Sequence, residues 1–565
     1  MEKPNTHYFH VEMQLSNIIA EKVELKMPAW TPGYYLIMNY AKNICSFQAA
    51  AVDGTVLEWE KISKNTWEIN SKGFNDIIVE YDVYAYNISV ADAYLDYGRA
   101  FIPPAAVIMY PSGRLDLSST IKVIPYDEWK SVCTGLQHGD EENTFLANNY
   151  DVLFDSPILA GNPEVIQFQL DSIPYTIAVE KPGNTDLTGF VDDLKKVIPA
   201  ASGLIGDIPY ENYCFLIMDR GMGGLEHANS MAVYSRGDFY TAGNKDRNNG
   251  WMNFITHEFF HLYNVKAIRP EGLWPIDYDS ENYTEMLWVS EGFTVYYEYM
   301  IMNRAGLLSR NDVLRHLGNT IRTYESIPGS NYQSAAGSSK DTWINFFNRS
   351  SNAMNATISY YDKGCALGML LDLAIRHETG NEKSLDDVMR ELYYKYFKEL
   401  KRGFTKNEFR SICEKTAGIS LDEIFDVYVS TTGKVDYNKF LEYAGLHIDL
   451  DEEILGGSYI GAGTRNVDGE TVISSILRDS PGWNFGLSVN DNILEVNGQP
   501  LAGRSLDDIL KSSPPLDTLI FKVKHRYLER EIQVITDTLK AASYDISVLP
   551  DADPSQLILL NTWLQ

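Results

Sequence analysis

The run HEFFH places His257 and His261 four positions apart, with Glu258 between them. On a helix that spacing is about one turn, so both imidazoles leave the same face and the Glu258 carboxylate stands beside the gap between them. Imidazole nitrogens bind zinc, and a catalytic zinc takes three protein ligands and leaves its fourth position to water. The pair therefore needs a third donor, while Glu258 is placed to act as general base on that water. Glu291 is the candidate, thirty positions after His261 in LWVSEGFTVYYEY. Leu287, Trp288, Phe293, Val295 and Tyr296 suggest a buried helix there, and a carboxylate in such surroundings needs a partner, which a metal would be. Glu271, Asp277, Asp279, Glu281 and Glu285 also follow the motif, but only Glu291 sits in a W-V-S-E-G-F context. The plain alternative is an accidental H-E-x-x-H on a surface helix, with no downstream acid among aromatics.

Two further stretches could do chemistry. In GGLEH, Gly223 and Gly224 allow the backbone a close approach or an unusual turn just before Glu226 and His227. An acid at a cleft edge can pair with an α-ammonium that loses its water, although a purely structural acid is an equal alternative. His227 is not read as a metal ligand. In SYYDKG, Tyr360 and Tyr361 precede a strongly apolar helix. A phenol at a helix start can donate a hydrogen bond to the oxyanion of a tetrahedral intermediate; the alternative is a buried tyrosine that merely satisfies its hydroxyl. Asn264, Lys266 and Arg269 follow the histidines in NVKAIRP. Asn264 could take the free ring nitrogen of a ligand histidine, with a surface or capping role favoured.

HEFFH followed by WVSEGFT resembles the gluzincin metallopeptidases, in which two histidines and a distant glutamate bind zinc. MPAWTPGYYLIMNY from Met27, GGLEH from Gly223 and SYYDKG from Ser359 narrow the resemblance to the glycyl aminopeptidase family. It implies a multidomain α+β fold: a β-rich N-terminal domain, a thermolysin-like and mainly helical catalytic domain, and a C-terminal PDZ domain. It implies one Zn2+ per chain on His257, His261 and Glu291, with Glu258 as general acid and base. GGLEH is similar to the G-x-M-E-N or G-x-M-E-H motif of aminopeptidase N-type enzymes, so Glu226, after Gly223 and Gly224, would hold the substrate amine. The Y-x-K-G pattern puts the oxyanion tyrosine at Tyr361, with Tyr360 as the fallback. The implied activity is removal of single N-terminal residues, glycine and alanine above all. A thermolysin-like endopeptidase and a non-catalytic PDZ protein on a peptidase scaffold are the rival readings.

These groups need a scaffold, and 565 residues are too many for one hydrophobic core. Short alternating segments broken by Gly, Pro, Asn and Asp, such as DIIVEYDVYAY, predict a β-sandwich-like domain over 1–165. Within it the two prolines and the glycine of MPAWTPGYYLIMNY suggest a rigid turn at a sheet edge, with Trp30, Tyr34 and Tyr35 structural. A peptidase domain over 166–450 opens with an amphipathic helix in DLTGFVDDLKKVIPAASGLIG, and PGSNYQSAAGSSKDTW reads as a loop. VISSILRDSPGWNFGLSVNDNILEVNGQPL looks like a PDZ domain, assigned to 451–545, with its carboxylate-binding loop at Tyr459–Ala462; residues 546–565 form a tail packed on the body. A peptide C-terminus is the expected PDZ ligand, with packing or substrate guidance as comparable roles.

Hydrophobic content of 44% and charged content of 22% are those of an ordinary globular protein. A net charge of −29 argues against nucleic acid and anionic membrane as partners, since both need a basic face. Five scattered cysteines without a C-x-x-C pair make a disulfide framework or a cysteine zinc site unexpected. No apolar run is long enough to span a membrane. The N-terminal segment has no apolar signal core, which fits a cytoplasmic protein or one whose leader has been removed. The expected partners are therefore peptides with a free N-terminus; oligomeric state is not legible.

Overall fold

The computed structural model describes residues 1–501 and 504–565, which form two compact units. The first comprises Met1–Thr284, Arg304–Leu307 and Met389–Thr405; the second comprises Glu285–Asn303, Leu308–Val388 and Lys406–Gln565.

The first unit begins with antiparallel sheets. Ile77–Tyr84 lies between Tyr8–Leu15 and Ile44–Ala51, and its alternation buries Ile77, Val79, Tyr81 and Val83 while the residues between them stay partly exposed. That is the period of two that DIIVEYDVY carries in sequence. Lys22–Lys26, Trp59–Ser63, Thr66–Asn70 and Tyr110–Pro111 make a second sheet over the same core, with Leu25, Trp67 and Ile69 inside.

A five-stranded sheet follows in the order Glu164–Leu170, Ile173–Val179, Tyr213–Asp219, Ser230–Ser235, Gly224–Glu226. The middle pairs are parallel, and the helix Leu187–Ile205 makes the crossover between Ile173–Val179 and Tyr213–Asp219. Asp186 caps that helix by accepting from Gly189 N, and Gly206 closes it at φ +83°. One cluster of buried side chains joins Phe101 and Leu159 of the N-terminal strands to Leu216, Met218 and Leu225 of this sheet. The N-terminal strands thus share a core with the sheet whose edge strand ends at Glu226.

The second unit is helical through its middle. The helix Tyr360–Glu378 is buried from Lys363 to Arg376. It crosses the Leu287–Ser290 and Gly292–Arg304 helices at glycines: a Cβ on Gly364 would stand 2.8 Å from Gly292 Cα and 2.3 Å from the Trp288 carbonyl oxygen. PGSNYQSAAGSSKDTW is not the expected loop. It carries helical turns at Pro328–Asn331, Ala335–Lys340 and Thr342–Asn345, because Ser334 caps one turn and Ser338 and Ser339 satisfy their hydroxyls on Ile358 O and Ala335 O. Local hydroxyl-to-carbonyl bonds let a polar sequence be buried as helix.

The PDZ region is a sheet of Ala462–Val467, Glu470–Ile476, Asn492–Val496, Thr518–His525 and Leu528–Ile535, with Gln499–Pro500 beside it, closed around Ile473, Leu519, Phe521, Val523 and Val534. The Asn355 carboxamide fixes it to the helical part by donating to Ile476 O and accepting from Arg478 N, both at 2.8 Å. At the C-terminal end the helix Pro554–Trp563 inserts Trp563, whose indole donates to Tyr296 OH at 2.7 Å. No helix among the described residues is long and apolar enough to cross a membrane.

Candidate active site

His257 lies in the last turn of the helix Lys245–Phe260, and His261 follows it in helical conformation, its backbone N–H on His257 O at 3.3 Å. The chain then turns tightly, with the N–H groups of Val265 and Lys266 both donating to His261 O. This turn brings the Asn264 carbonyl to 2.7 Å from His261 Nδ1. A carbonyl only accepts, so Nδ1 carries the proton and Nε2 presents a lone pair. That lone pair faces His257 Nε2 at 3.0 Å. Two ring nitrogens so placed suit a shared cation, since ligands at about 2.0–2.1 Å on a tetrahedral ion lie close to that separation. Asn264 is fully buried at 0% exposure, and its main chain, not its side chain, orients the ring, which corrects the surface or capping role expected for it.

Glu291 follows the Leu287–Ser290 helix, donates its N–H to Leu287 O at 2.7 Å, and is 3% exposed. The ligand atoms of His257, His261 and Glu291 all lie within 4.8 Å of one another. The acids that competed with Glu291 in sequence are used elsewhere: Asp279 pairs with Lys26 at 2.5 Å, Glu285 faces Lys406 at 3.2 Å, and Glu271 and Glu281 are exposed. Two imidazoles and a carboxylate are a donor set that fits zinc, and the unprotonated Nε2 of His261, with its lone pair turned toward His257 Nε2, is the observation that favours it.

Tyr360 and Tyr361 open the helix that Ser359 caps by accepting from Asp362 N. Tyr360 is 2% exposed and its hydroxyl pairs with Thr342 Oγ1 at 2.9 Å. Burial, and after it the negative Glu291, holds its phenol above the ordinary range. Tyr361 is only partly buried and stacks on Phe346 and on Tyr360, with ring centroids 5.4 and 4.9 Å apart. Of the two phenols, Tyr360 is the one folded into the core.

The strand Gly224–Glu226 runs antiparallel to Ser230–Ser235, with Glu226 opposite Met231. Gly224 and Glu226, two apart, face the same side. A Cβ on Gly224 would stand 2.4 Å from Glu258 Oε1, so this glycine lets the strand lie against the Glu258 carboxylate. Gly223 supplies the turn, at φ +88°. Glu226 is 4% exposed; its Oε1 makes no hydrogen bond among the described residues, and Lys266 Nζ stands 3.7 Å away. Lys266 in turn pairs with Asp155 at 2.9 Å, and Asp155 also receives His227 Nδ1 at 3.1 Å and Ala228 N at 2.9 Å. Burial opposes ionisation of Asp155, but Lys266 and His227 overcome it and hold the carboxyl below the usual carboxylate range.

Lys266, Asp155 and Arg269 were not singled out by role in sequence. The available signal was two cations set among Val265, Ala267 and Ile268, since charge within an apolar run has to be paired. MPAWTPGYYLIMNY is also more than a sheet-edge turn. Trp30 donates to Asp277 O at 2.7 Å, and Gly33, at φ +91°, lies directly on Glu226.

Residues 1–162 match the Peptidase M61 N-terminal domain, 250–367 match the M61 glycyl aminopeptidase domain, and 472–512 match a PDZ domain. The chain carries the N-terminal and catalytic domains of the M61 glycyl aminopeptidases. A crystal structure of an aminopeptidase N family protein from Idiomarina loihiensis superposes with a TM-score of 0.92 at 26% identity, over 100% of this chain and 98% of that one. An M1 zinc metallopeptidase from Deinococcus radiodurans gives 0.46 at 11% identity, over 76% of this chain and 91% of that one. Yeast LTA4 hydrolase in complex with bestatin gives 0.47 at 13%, over 78% and 67%. No curated protein sequence matches. With these M61 domains and a His, His, Glu cluster, the chain is a zinc metallo-aminopeptidase of mixed α+β architecture.

Proposed function

We propose that this M61 enzyme removes single N-terminal residues from peptides, glycine and alanine among them, with one zinc per chain held by His257, His261 and Glu291. The observation that carries the exopeptidase reading is the buried Glu226 Oε1, an acceptor without a hydrogen-bonding donor among the described residues. A peptide's α-ammonium supplies that donor, whereas the interior of a longer chain brings only a neutral amide. When bound, zinc supplies a water acidic enough to be deprotonated near neutral pH and a Lewis acid for the scissile carbonyl.

The chain's own residues do the rest. Glu258, lying on the Gly224 backbone, takes the water's proton and later delivers it to the leaving amine. Tyr361, whose ring stacks on Tyr360 and Phe346, donates to the developing oxyanion. Tyr360 supports it through that stack. Glu226, reached past Gly223 and Gly224, fixes the ammonium one residue from the bond to be cut.

The test compares alanyl-peptide amides with and without an N-acetyl group. Loss of cleavage on acetylation is expected. Equal rates would remove Glu226 from its role and favour the endopeptidase reading. For the PDZ region, the proposed ligand is a peptide C-terminus added beside Ala462–Val467, which among the described residues pairs with only one neighbour in its sheet. Calorimetry with C-terminal and C-terminally amidated peptides tests it, and equal binding of both would refute carboxylate recognition.

A further inference from the structure

A cavity of about 370 Å³ opens beside Glu226 within the first unit. That volume is in the range of ligand pockets. Its lining sets the aromatic rings of Trp30, Trp274 and Tyr278 beside two cations, Lys266 and Arg269. The two cations are not equivalent. Lys266 is committed to Asp155 at 2.9 Å and Glu226 at 3.7 Å. Arg269 donates only through Nε, to the carbonyl oxygens of Val265 at 3.1 Å and Lys266 at 2.8 Å. Those bonds, with the Trp274 ring 4.6 Å from the guanidinium carbon, hold the group in place. Its two terminal nitrogens have no hydrogen-bond or ion-pair partner among the described residues.

A fixed guanidinium with both terminal groups unspent is a fork for a carboxylate. Burial pulls the Arg269 pKa down, and the attraction of Asp155, Tyr278, Asp151 and Glu226 only partly offsets this, without any of them bonding to the fork. An incoming carboxylate would complete the pairing. Glu226 lines the same cavity, so a peptide whose ammonium is held there has its first side chain, on the same Cα, within reach of the cavity.

We propose that this cavity receives the side chain of the substrate's first residue, and that Arg269 selects an acidic one, aspartate or glutamate, in addition to the small residues that need no pocket. The inference rests on Glu226 as the holder of the amine. The two ideas fail differently.

The experiment measures kcat/KM of the zinc-loaded, full-length enzyme on glutamyl, glutaminyl, aspartyl, asparaginyl and alanyl amides, with N-acetyl-alanyl amide alongside. Glutamyl and glutaminyl side chains match in shape and differ in charge, so their ratio reports the fork. The wild type is expected to favour glutamyl by about tenfold or more, the scale of a hydrogen bond to a charged group. Arg269→Met is expected to bring the ratio to one or below, and Arg269→Lys to restore part of it. A fold damaged by the substitution lowers both rates and leaves the ratio standing. A wild-type ratio near one, or a ratio unmoved in Arg269→Met, overturns the inference while free alanyl amide is still cleaved. Equal cleavage of the acetylated substrate overturns the reading of Glu226 itself.

Discussion

Gly33 lies against Glu226 so closely that a Cβ added to it would stand 2.5 Å from Oε1 and 2.9 Å from Oε2. The turn of the N-terminal domain thereby sets where the carboxylate can point. Gly33→Ala should raise KM for aminoacyl amides about tenfold or more, because the methyl group displaces a charge-pairing oxygen. It also carries a backbone cost of about 1–2 kcal/mol at φ +91°. Gly54 is the control, with φ +89° and nothing within 4 Å of its Cβ. Gly54→Ala bears the same backbone cost and should keep its KM. Steady-state kinetics on the two variants checks this, and equal KM values would detach the N-terminal turn from amine recognition.

Glu258 and the metal ligands make separable contributions. Glu258→Gln should keep its zinc, measured by metal analysis, and lose about 10² to 10⁴ in kcat, the usual contribution of a positioned acid and base. Chelation of the wild type should abolish turnover, and added zinc should restore it. A Glu258→Gln enzyme with full kcat would sink the assignment of the base. Glu291→Gln is expected to lose the zinc itself, so metal content distinguishes the two carboxylates.

Asp155 gives a pH signature. Its folded pKa lies below the unfolded value of about 3.9, so the stability it contributes is fully present above that pH. The contribution is lost as pH falls through the folded pKa. Asp155→Asn leaves the Lys266 ammonium, 4% exposed, without its closer partner and should cost about 3–5 kcal/mol at pH 7. Denaturant unfolding at pH 7 and at pH 3 should show the gap between wild type and variant narrowing at the lower pH. A gap that stays constant would mean that the pair does not set the stability.

Sequence carried the chemistry further than it carried the packing. The four-residue spacing of His257 and His261 is a helical repeat, and the aromatic helix around Glu291 announces burial, so both were legible from local pattern. The period of two in Ile77–Tyr84 exposed the sheet in the same way. What was hidden depends on residues distant in the chain. Lys266 meets Asp155 across 111 positions, and Gly33 meets Glu226 only once the N-terminal strands and the five-stranded sheet share a core. The helical turns of 328–345 were missed because serine and glycine read as loop unless their hydroxyls find buried carbonyls, as Ser338 does on Ile358.

Gly364 tests whether helix spacing governs the metal site. It packs on Gly292, the residue after Glu291, and both contacts a Cβ would meet are backbone atoms, at 2.8 Å on Gly292 Cα and 2.3 Å on Trp288 O. A rotating side chain could give way, but two helix backbones have to separate. Gly364→Ala should therefore destabilise the protein by about 1–3 kcal/mol, as overpacking does. It should also weaken zinc binding, since the residue displaced adjoins a ligand. Gly203, in the helix Leu187–Ile205 with nothing within 4 Å of its Cβ, is the counterpart. Gly203→Ala adds the same methyl group to a helix and should stabilise it by up to about 1 kcal/mol. Thermal unfolding with and without zinc reads both effects. If Gly364→Ala binds zinc as tightly as the wild type, the close crossing of these helices serves the core alone and has no hold on Glu291.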